Sequence, residues 1–257
     1  LAGVVAQATR KTLEKLPGAP AKRLGDMPFA AVVLRRLLRV TGARRVVFSA
    51  NGLREGWYAR LLPPEVRGED PLRAAGQDLA LRYGRDPELA PALFAWTASL
   101  FEGETAEAAL LREAACSIAD IGSHDHPDYR AEQSFYRVLR QPGVGVDHHQ
   151  RAFLALVAAL RYEADADAPF LAAARPLLDP VALRQAEALG AALRLAFTLS
   201  GGTPVLLAGT ALRRFGGELR LRLVEGSGVF AGESVQRRLD TLANALGLPA
   251  TVEVAGA

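Results

Sequence analysis

The sequence predicts a mainly α-helical protein in which a small α/β unit precedes an all-α domain and a ββαβ tail. Apolar residues recur at helical spacing from Asp70 to about Leu199, which indicates amphipathic helices packed on a shared core. A run rich in β-branched residues precedes that region, and a strictly alternating run, Glu218–Val224, follows it. We therefore divide the chain into residues 1–64, 70–200 and 201–257.

The α/β unit begins with two predicted helices, Gly3–Leu16 and a second over residues 28–40. The second is predicted to carry its apolar residues inward, namely Phe29, Val32, Val33, Leu37 and Val40. Arg45–Ala50 is rich in β-branched and aromatic residues and predicts a buried strand. A short Asn-Gly turn then leads into a helix over Arg54–Leu62. Such a unit is too small to cover both faces of a sheet, so we expect its partner strands to lie upstream.

The all-α domain is predicted as a series of helices joined by polar loops. Several have favourable starts, because Asp or Thr side chains accept hydrogen bonds from the first backbone N–H groups and proline suits the first turn. The predicted spans are Asp70–Tyr83, Pro87–Phe101, Thr105–Asp120, Asp128–Leu139, Asp147–Tyr162, Phe170–Leu178 and Pro180–Leu199.

The tail after residue 200 combines strands with one helix. Two strands, Pro204–Ala208 and Glu218–Val224, are predicted on either side of a Gly-Gly hairpin turn. Leucine and arginine alternate in the second strand, which indicates one buried face. An amphipathic helix over Glu233–Leu246 and a third strand over Thr251–Val254 complete the predicted ββαβ order.

The composition is that of a folded protein, with 50% hydrophobic and 23% charged residues. The net charge is only +3, but Lys11, Lys15 and Lys22 are the only lysines, so nearly all positive charge is on arginine. Arginine binds phosphate well through its planar paired donors, although a coding bias towards arginine gives the same composition. Aromatic residues amount to 7% and do not alternate with basic ones, so we expect no nucleic-acid partner.

No segment approaches the length of a transmembrane helix, and no basic region precedes the first apolar residues as in a secretory signal. We therefore expect no membrane partner. The single cysteine, Cys116, lies among apolar residues and predicts a buried thiol in a reducing compartment, the cytoplasm. The chain begins with leucine inside a helical pattern, so we expect it to be part of a longer protein.

Three segments together carry a resemblance to a known family. The first comprises Pro17–Arg23, Met27–Leu34 and Val46–Gly56, and it ends in Gly52-Leu53-Arg54-Glu55-Gly56. The second is Leu111–Ser134, which contains Ala119-Asp120-Ile121-Gly122 and His126-Pro127-Asp128-Tyr129-Arg130, and the third is Ala191–Leu199 with the tail. Their order resembles the C-terminal part of the exopolyphosphatase/guanosine pentaphosphate phosphohydrolase (Ppx/GppA) family. The first segment is similar to the end of that family's actin-like region, and the second to its HD-like helical domain.

The resemblance implies a parent enzyme that hydrolyses phosphoanhydride bonds in polyphosphate or guanosine pentaphosphate, usually with magnesium. The family's phosphate-cradling glycine loops and catalytic carboxylates lie in the actin-like half, upstream of Leu1. No residue of this chain matches them, so we expect magnesium to bind outside it and the chain alone to be inactive. We expect it to supply a wall of the substrate channel and contacts between domains and in a homodimer.

The candidate substrate-binding residues are basic or polar side chains within these segments: Arg54, Glu55, Arg23, Arg130 and His126. Arg54 offers paired donors to phosphate where a strand is predicted to meet a helix. A structural ion pair closing the turn is the alternative for Arg54 and Glu55, and an exposed loop is the alternative for His126.

Two other functions remain open. An HD-type nucleotide phosphohydrolase holds its metal with an adjacent His-Asp pair, and here Ala119-Asp120 stands in that position, with Glu113 near an earlier ligand. Alanine has no lone pair for a metal, and no histidine restores the pair, so we expect no metal site. The other alternative is a non-catalytic module that binds a polyanion or a partner subunit.

Overall fold

The structure, a computed structural model, describes residues 2–16, 20–49, 51–142 and 145–255. Residues 1–54 and 55–257 form two compact units. The predicted mainly α class is confirmed. The three-part division at residues 1–64, 70–200 and 201–257 stays a prediction. In the part of the chain that the structure describes, no helix is both long and apolar enough to cross a bilayer.

The described residues of the first unit form three α-helices and a 3₁₀ turn: α1 Ala2–Ala6, α2 Arg10–Leu13, the turn Ala21–Arg23 and α3 Met27–Thr41. Its small core consists of Val5, Leu13, Leu24 and Ala31. The prediction of a single helix over Gly3–Leu16 was wrong, because two short helices occupy this range. Thr9 interrupts it, because its hydroxyl accepts a hydrogen bond from Thr12 N–H and caps a new helix.

Two further predictions for the first unit were also wrong. Residues 45–49 form no strand, and Val47 and Phe48 are 72% and 81% exposed; Ala50 lies outside the described residues. A β-branched run becomes a strand only by pairing, and the described residues offer it no partner. The apolar residues of α3 do not face inward either, since Phe29 and Val33 are 74% and 67% exposed.

The remaining helices follow in chain order. They are α4 Leu53–Leu61, α5 Pro64–Gly68, α6 Pro71–Tyr83, α7 Leu89–Trp96, α8 Ala106–Ser117, α9 Arg130–Leu139, α10 His148–Arg161, α11 Pro180–Ser200, α12 Pro204–Ala208 and α13 Glu233–Leu246. Short 3₁₀ turns occupy Ala98–Leu100, Pro169–Ala173 and Arg175–Leu177. The last two replace the α-helix predicted over Phe170–Leu178, because Pro176 cannot donate an intrahelical hydrogen bond.

Side chains fix where the main helices begin. Asp70 accepts hydrogen bonds from Leu72 N–H at 2.9 Å and Arg73 N–H at 3.1 Å, so α6 starts at Pro71. Asp179 caps α11 in the same way, and Asp147 forms a capping box with Gln150 at the start of α10. These caps confirm the predicted helix starts.

The core of the second unit is centred on α10 and α11. A Cβ added at Gly190 of α11 would lie 2.7 Å from the Leu160 Cβ of α10, so glycine lets these two helices approach closely. Cys116 packs in the same core and is 2% exposed, which confirms a buried thiol. Burial raises the pKa of Cys116 to about 12.

The tail forms a three-stranded sheet of β1 Thr210–Phe215, β2 Glu218–Val224 and β3 Ala250–Ala255. β1 and β2 are antiparallel, β2 and β3 are parallel, and β2 is central. The ββαβ order is as predicted, but the first strand lies later in the chain than Pro204–Ala208. That segment is α12, because the fixed φ of Pro204 suits the first turn of a helix.

Candidate functional site

A cavity of about 560 Å³ in the second unit is lined by five arginines that come from different elements. Arg161 ends α10, Arg194 lies within α11 and Arg238 lies within α13. Arg85 follows α6, and Arg130 begins α9. We call this the arginine cavity. Residues distant in sequence meet there because α10, α11 and α13 pack together around the core.

Asp120 anchors one side of the cavity. Its side chain is 4% exposed, and both of its oxygens accept hydrogen bonds from the Arg85 guanidinium, at 2.9 and 3.0 Å. The Arg85 backbone N–H donates to the same carboxylate at 3.2 Å, and Arg161 Nη2 lies 3.8 Å away. The hydrogen bond from Asp120 raises the pKa of Arg85, against the opposing effect of burial.

The turn that carries Asp120 depends on Gly122. A Cβ at this position would lie 2.3 Å from Ser134 Oγ and 2.9 Å from the Tyr162 ring, so only glycine fits. The Gly122 N–H donates to the Tyr162 hydroxyl at 2.9 Å. The Asp-Ile-Gly motif therefore places a buried carboxylate behind the arginines and fixes the neighbouring tyrosine.

Arg161 is held between two aromatic rings. The centre of its guanidinium lies 3.6 Å from the Phe197 ring centroid and 4.0 Å from that of Tyr162. Its buried Nε has no hydrogen-bond partner among the described residues. Burial lowers the pKa of Arg161 to about 10, and repulsion by Arg85 and Arg130 adds to this. Arg161 stays charged at neutral pH, but holding that charge costs free energy.

Arg194 and Arg238 share one carboxylate, that of Glu163. Burial lowers the pKa of Arg194 to about 9, and the positive charges of Arg238, Arg237 and Arg161 lower it further. Burial, followed by repulsion from Arg237, also lowers the pKa of Arg238. This side of the cavity therefore holds two cations whose charge is disfavoured by their surroundings.

The full charge count of the lining is nearly balanced. Asp128, Glu132, Glu163 and Asp165 also line the cavity, and all four are exposed. The Arg161, Arg194 and Arg238 side chains are only 11%, 17% and 16% exposed, so the shielded wall of the cavity is positive and the acidic groups lie at its exposed rim. A multivalent anion with many oxygens, such as a phosphate chain, suits that shielded wall because each guanidinium offers paired donors.

The structure distributes the predicted site residues unevenly. Arg130 lines the arginine cavity. His126 lies outside its lining, stacks on Tyr129 at a centroid distance of 5.3 Å and lies 3.7 Å from Asp128. Arg23 lies in a 3₁₀ turn of the first unit, and Arg54 and Glu55 are in the first turn of α4. A substrate-binding role for these residues stays a prediction.

Sequence reasoning missed four of the five arginines, namely Arg85, Arg161, Arg194 and Arg238. One signal was present, because Arg194 interrupts a run of apolar residues within α11. An arginine on a buried helix face needs an anionic partner or a polar cavity. The other three lie near helix ends or on an amphipathic helix, where arginine is common.

The described ranges contain no group of three or more His, Cys, Asp or Glu side chains arranged to hold a metal ion. The HD-type candidates have other partners: Asp120 binds Arg85, and Glu113 binds Arg73 through two hydrogen bonds of 2.8 and 2.9 Å. Asp147 caps α10. These carboxylates are therefore engaged by an arginine or by a helix cap. The magnesium site, which the resemblance places outside this chain, stays a prediction.

One comparison with known proteins gives a match, which covers most of the helical region and its tail. A family model described as the C-terminal region of exopolyphosphatase matches residues 72–252. No curated protein matches the chain. The match covers most of the sequence and includes all five arginines of the cavity, and the chain therefore belongs to the exopolyphosphatase C-terminal family.

Proposed function

We propose that this chain is the C-terminal part of a phosphoanhydride hydrolase that acts on polyphosphate or guanosine pentaphosphate. In this proposal the arginine cavity forms part of the substrate-channel wall and holds phosphate groups. Membership of the exopolyphosphatase C-terminal family supports the hydrolase class. The observation that supports the binding role is the pair of arginines Arg161 and Arg194, whose side chains are only 11% and 17% exposed. Arg161 has an unpartnered Nε among the described residues, and burial disfavours the charge of both.

A phosphate chain supplies what these arginines lack. Its oxygens accept hydrogen bonds at closely spaced positions and carry negative charge along the whole chain, so one ligand reaches several guanidinium groups at once. The low exposure of Arg161 and Arg194 also strengthens their charge interactions relative to bulk water. Arg85 and Arg161 are already oriented by Asp120, which limits the ordering cost of binding.

The proposed role is binding and positioning, with the chemical step performed elsewhere in the parent enzyme. Magnesium would neutralise charge on the transferred phosphoryl group there. Within the described residues, the carboxylates near the arginine cavity are engaged by arginines or exposed at the rim, and none is grouped for metal binding. A cavity that binds phosphate without activating water holds its ligand without turnover.

The HD-type hydrolase is the weaker alternative. Its metal would need the oxygens of Asp120, which accept hydrogen bonds from Arg85, and the neighbouring Ala119 offers no ligand. At the position that the resemblance equates with an HD metal site, Asp120 instead orients Arg85 and lies beside Arg161. A purely non-catalytic polyanion-binding module differs from the proposal only in the activity of the parent enzyme.

Phosphate release tests this division of labour. The purified chain is incubated with magnesium and either long-chain polyphosphate or guanosine pentaphosphate, and free phosphate is measured over time. We expect no more phosphate release than in a control without protein. The same preparation should bind tripolyphosphate when it is titrated by calorimetry. Robust magnesium-dependent release by this chain would contradict the proposal and favour a hydrolytic site within it.

A further inference from the structure

We propose that Glu163 occupies the arginine cavity as an internal anion, and that a phosphate chain must displace its carboxylate in order to bind. This inference rests on the proposed function, because it concerns how the same cavity takes its ligand. It assigns to Glu163 a role in determining which anions bind. The argument depends on its contacts, its exposure and its backbone conformation.

The contacts place Glu163 where a ligand anion would lie. Its carboxylate contacts Nη2 of both Arg194 and Arg238, which belong to helices α11 and α13. Asp128, Glu132 and Asp165 also line the cavity, but within the described residues none of these three forms an ion pair with an arginine of its wall. Glu163 therefore provides the negative charge on the Arg194 side of the cavity.

Exposure separates Glu163 from the other carboxylate that binds these arginines. The side chain of Asp120 is 4% exposed and is fixed by three hydrogen bonds from Arg85, whereas that of Glu163 is 57% exposed. A buried carboxylate cannot leave without losing all of its partners, but an exposed one exchanges them for water at small cost. Glu163 is therefore the exchangeable partner and Asp120 the permanent one.

The backbone at Glu163 points to the same conclusion. Glu163 follows α10 with a φ of 72°, and no other non-glycine residue in the described part of the chain has a positive φ. Glycine is the usual residue where a helix ends in this conformation, since a side chain there costs free energy. A glutamate at this position accepts that cost and places a carboxylate against Arg194 and Arg238. Such local strain is typical of functional positions.

Displacement has a direct consequence for affinity. A ligand that needs Arg194 and Arg238 binds only the fraction of molecules in which Glu163 has moved away, so its apparent affinity is reduced by that fraction. Removing the carboxylate should abolish this competition. An anion with a single charged group gains less from displacing Glu163 than a chain that reaches the other arginines as well.

The test compares two substitutions that each remove one carboxylate charge. Glu163→Gln removes the proposed competitor, and Glu187→Gln removes a carboxylate that lies 4.0 Å from Arg175 and outside the cavity lining. Inorganic tripolyphosphate is titrated into each chain by calorimetry. We expect Glu163→Gln to bind about fivefold more tightly than the unchanged chain, which corresponds to one partly exposed ion pair. Glu187→Gln should bind as the unchanged chain does.

A second variant separates the loss of the carboxylate from any effect of the glutamine side chain. Glu163→Gly removes the carboxylate, so it should also bind tripolyphosphate more tightly than the unchanged chain. Because glycine adopts a positive φ without strain, this substitution should not lower the unfolding temperature. Equal or weaker binding by both Glu163 variants overturns the inference. In that case the proposed function stands if Arg194→Met binds tripolyphosphate more weakly than the unchanged chain. It fails together with the inference if Arg194→Met binds normally.

Discussion

Two largely shielded arginines of the second unit, Arg112 and Arg161, pack similarly against aromatic rings but differ in how completely their guanidinium groups are hydrogen-bonded. Arg112 is 5% exposed, and its guanidinium lies 4.0 Å from the Phe94 ring centroid, much as Arg161 lies against Phe197. Arg112 donates to Glu104 from Nε at 3.0 Å and from Nη2 at 2.5 Å. Its Nη1 donates to the Phe94 carbonyl at 2.7 Å and to Thr97 Oγ1 at 2.9 Å.

Arg161 lacks this complete set of partners. Its Nε is without a hydrogen-bond partner among the described residues, and Asp120, the nearest carboxylate, already binds Arg85. The comparison teaches that burial and aromatic stacking alone do not identify a functional arginine. Each nitrogen of the Arg112 guanidinium donates to a partner within the protein, so we assign it a structural role. Arg161 and Arg194 keep hydrogen-bonding capacity or positive charge that a ligand can use.

The largest expected effect is on stability. Arg112→Met leaves the carboxylate of Glu104, which is 18% exposed, without its cation and deprives Thr97 and the Phe94 carbonyl of a donor. Breaking a buried pair on one side costs about 3–5 kcal/mol of unfolding free energy. Urea unfolding of the two chains measures this difference. A loss of unfolding free energy below about 1 kcal/mol would show that Arg112 does not have the stabilising role assigned to it.

Arg194→Met should have a much smaller effect on stability, and in the opposite direction. The folded-state pKa of Arg194, about 9, lies below its unfolded value, so its charged form is disfavoured by folding at neutral pH. Removing the charge should leave the unfolding free energy unchanged or raise it by up to about 1 kcal/mol. This gain in unfolding free energy should shrink as pH rises through about 9, because Arg194 in the unchanged chain then begins to lose its proton in the folded state. Urea unfolding at pH 7 and at higher pH tests both statements, and a large loss at pH 7 would contradict them.

The smallest expected effect concerns arginines outside the cavity. Arg54→Ala should weaken polyphosphate binding by about two- to threefold, because an exposed charge contributes little and is screened by salt. Arg220→Ala should leave binding unchanged, since Arg220 pairs with Glu218 at 3.0 Å and Glu253 at 3.6 Å on the sheet. Binding of fluorescently labelled polyphosphate at two salt concentrations measures both. An equal loss in the two variants would mean that binding follows overall charge rather than specific residues.

Much of the fold could be predicted because local signals agreed with the packing. Caps such as Asp70 and Asp147 mark helix starts in the sequence, and the leucine-arginine alternation of Glu218–Val224 specifies a half-buried strand. Predictions failed where local signals competed or a partner was needed. Pro204 favours a helix start in an otherwise β-like segment, and Arg45–Ala50 has no strand to pair with in the described residues.

The candidate site was less predictable from sequence. Arg130 was identified through the family resemblance, but the other four arginines come from segments separated by up to about 150 residues and meet only through helix packing. Glu163 gives no signal at all, because its importance depends on a backbone angle and on two arginines from other helices. Asp120 was identified as the residue in an HD-type metal position, whereas its partner in the structure is an arginine.

Calorimetric titration with inorganic tripolyphosphate tests the central claim, that the arginine cavity binds a phosphate chain. The unchanged chain, Arg161→Met, Arg194→Met and the surface control Arg220→Ala are compared at about 0.15 M salt, where exposed charges are screened beyond roughly 8 Å. We expect a single site of similar affinity in the unchanged chain and in Arg220→Ala, and binding weaker by about tenfold or more in both cavity variants. Equal affinity in all four chains would contradict the account.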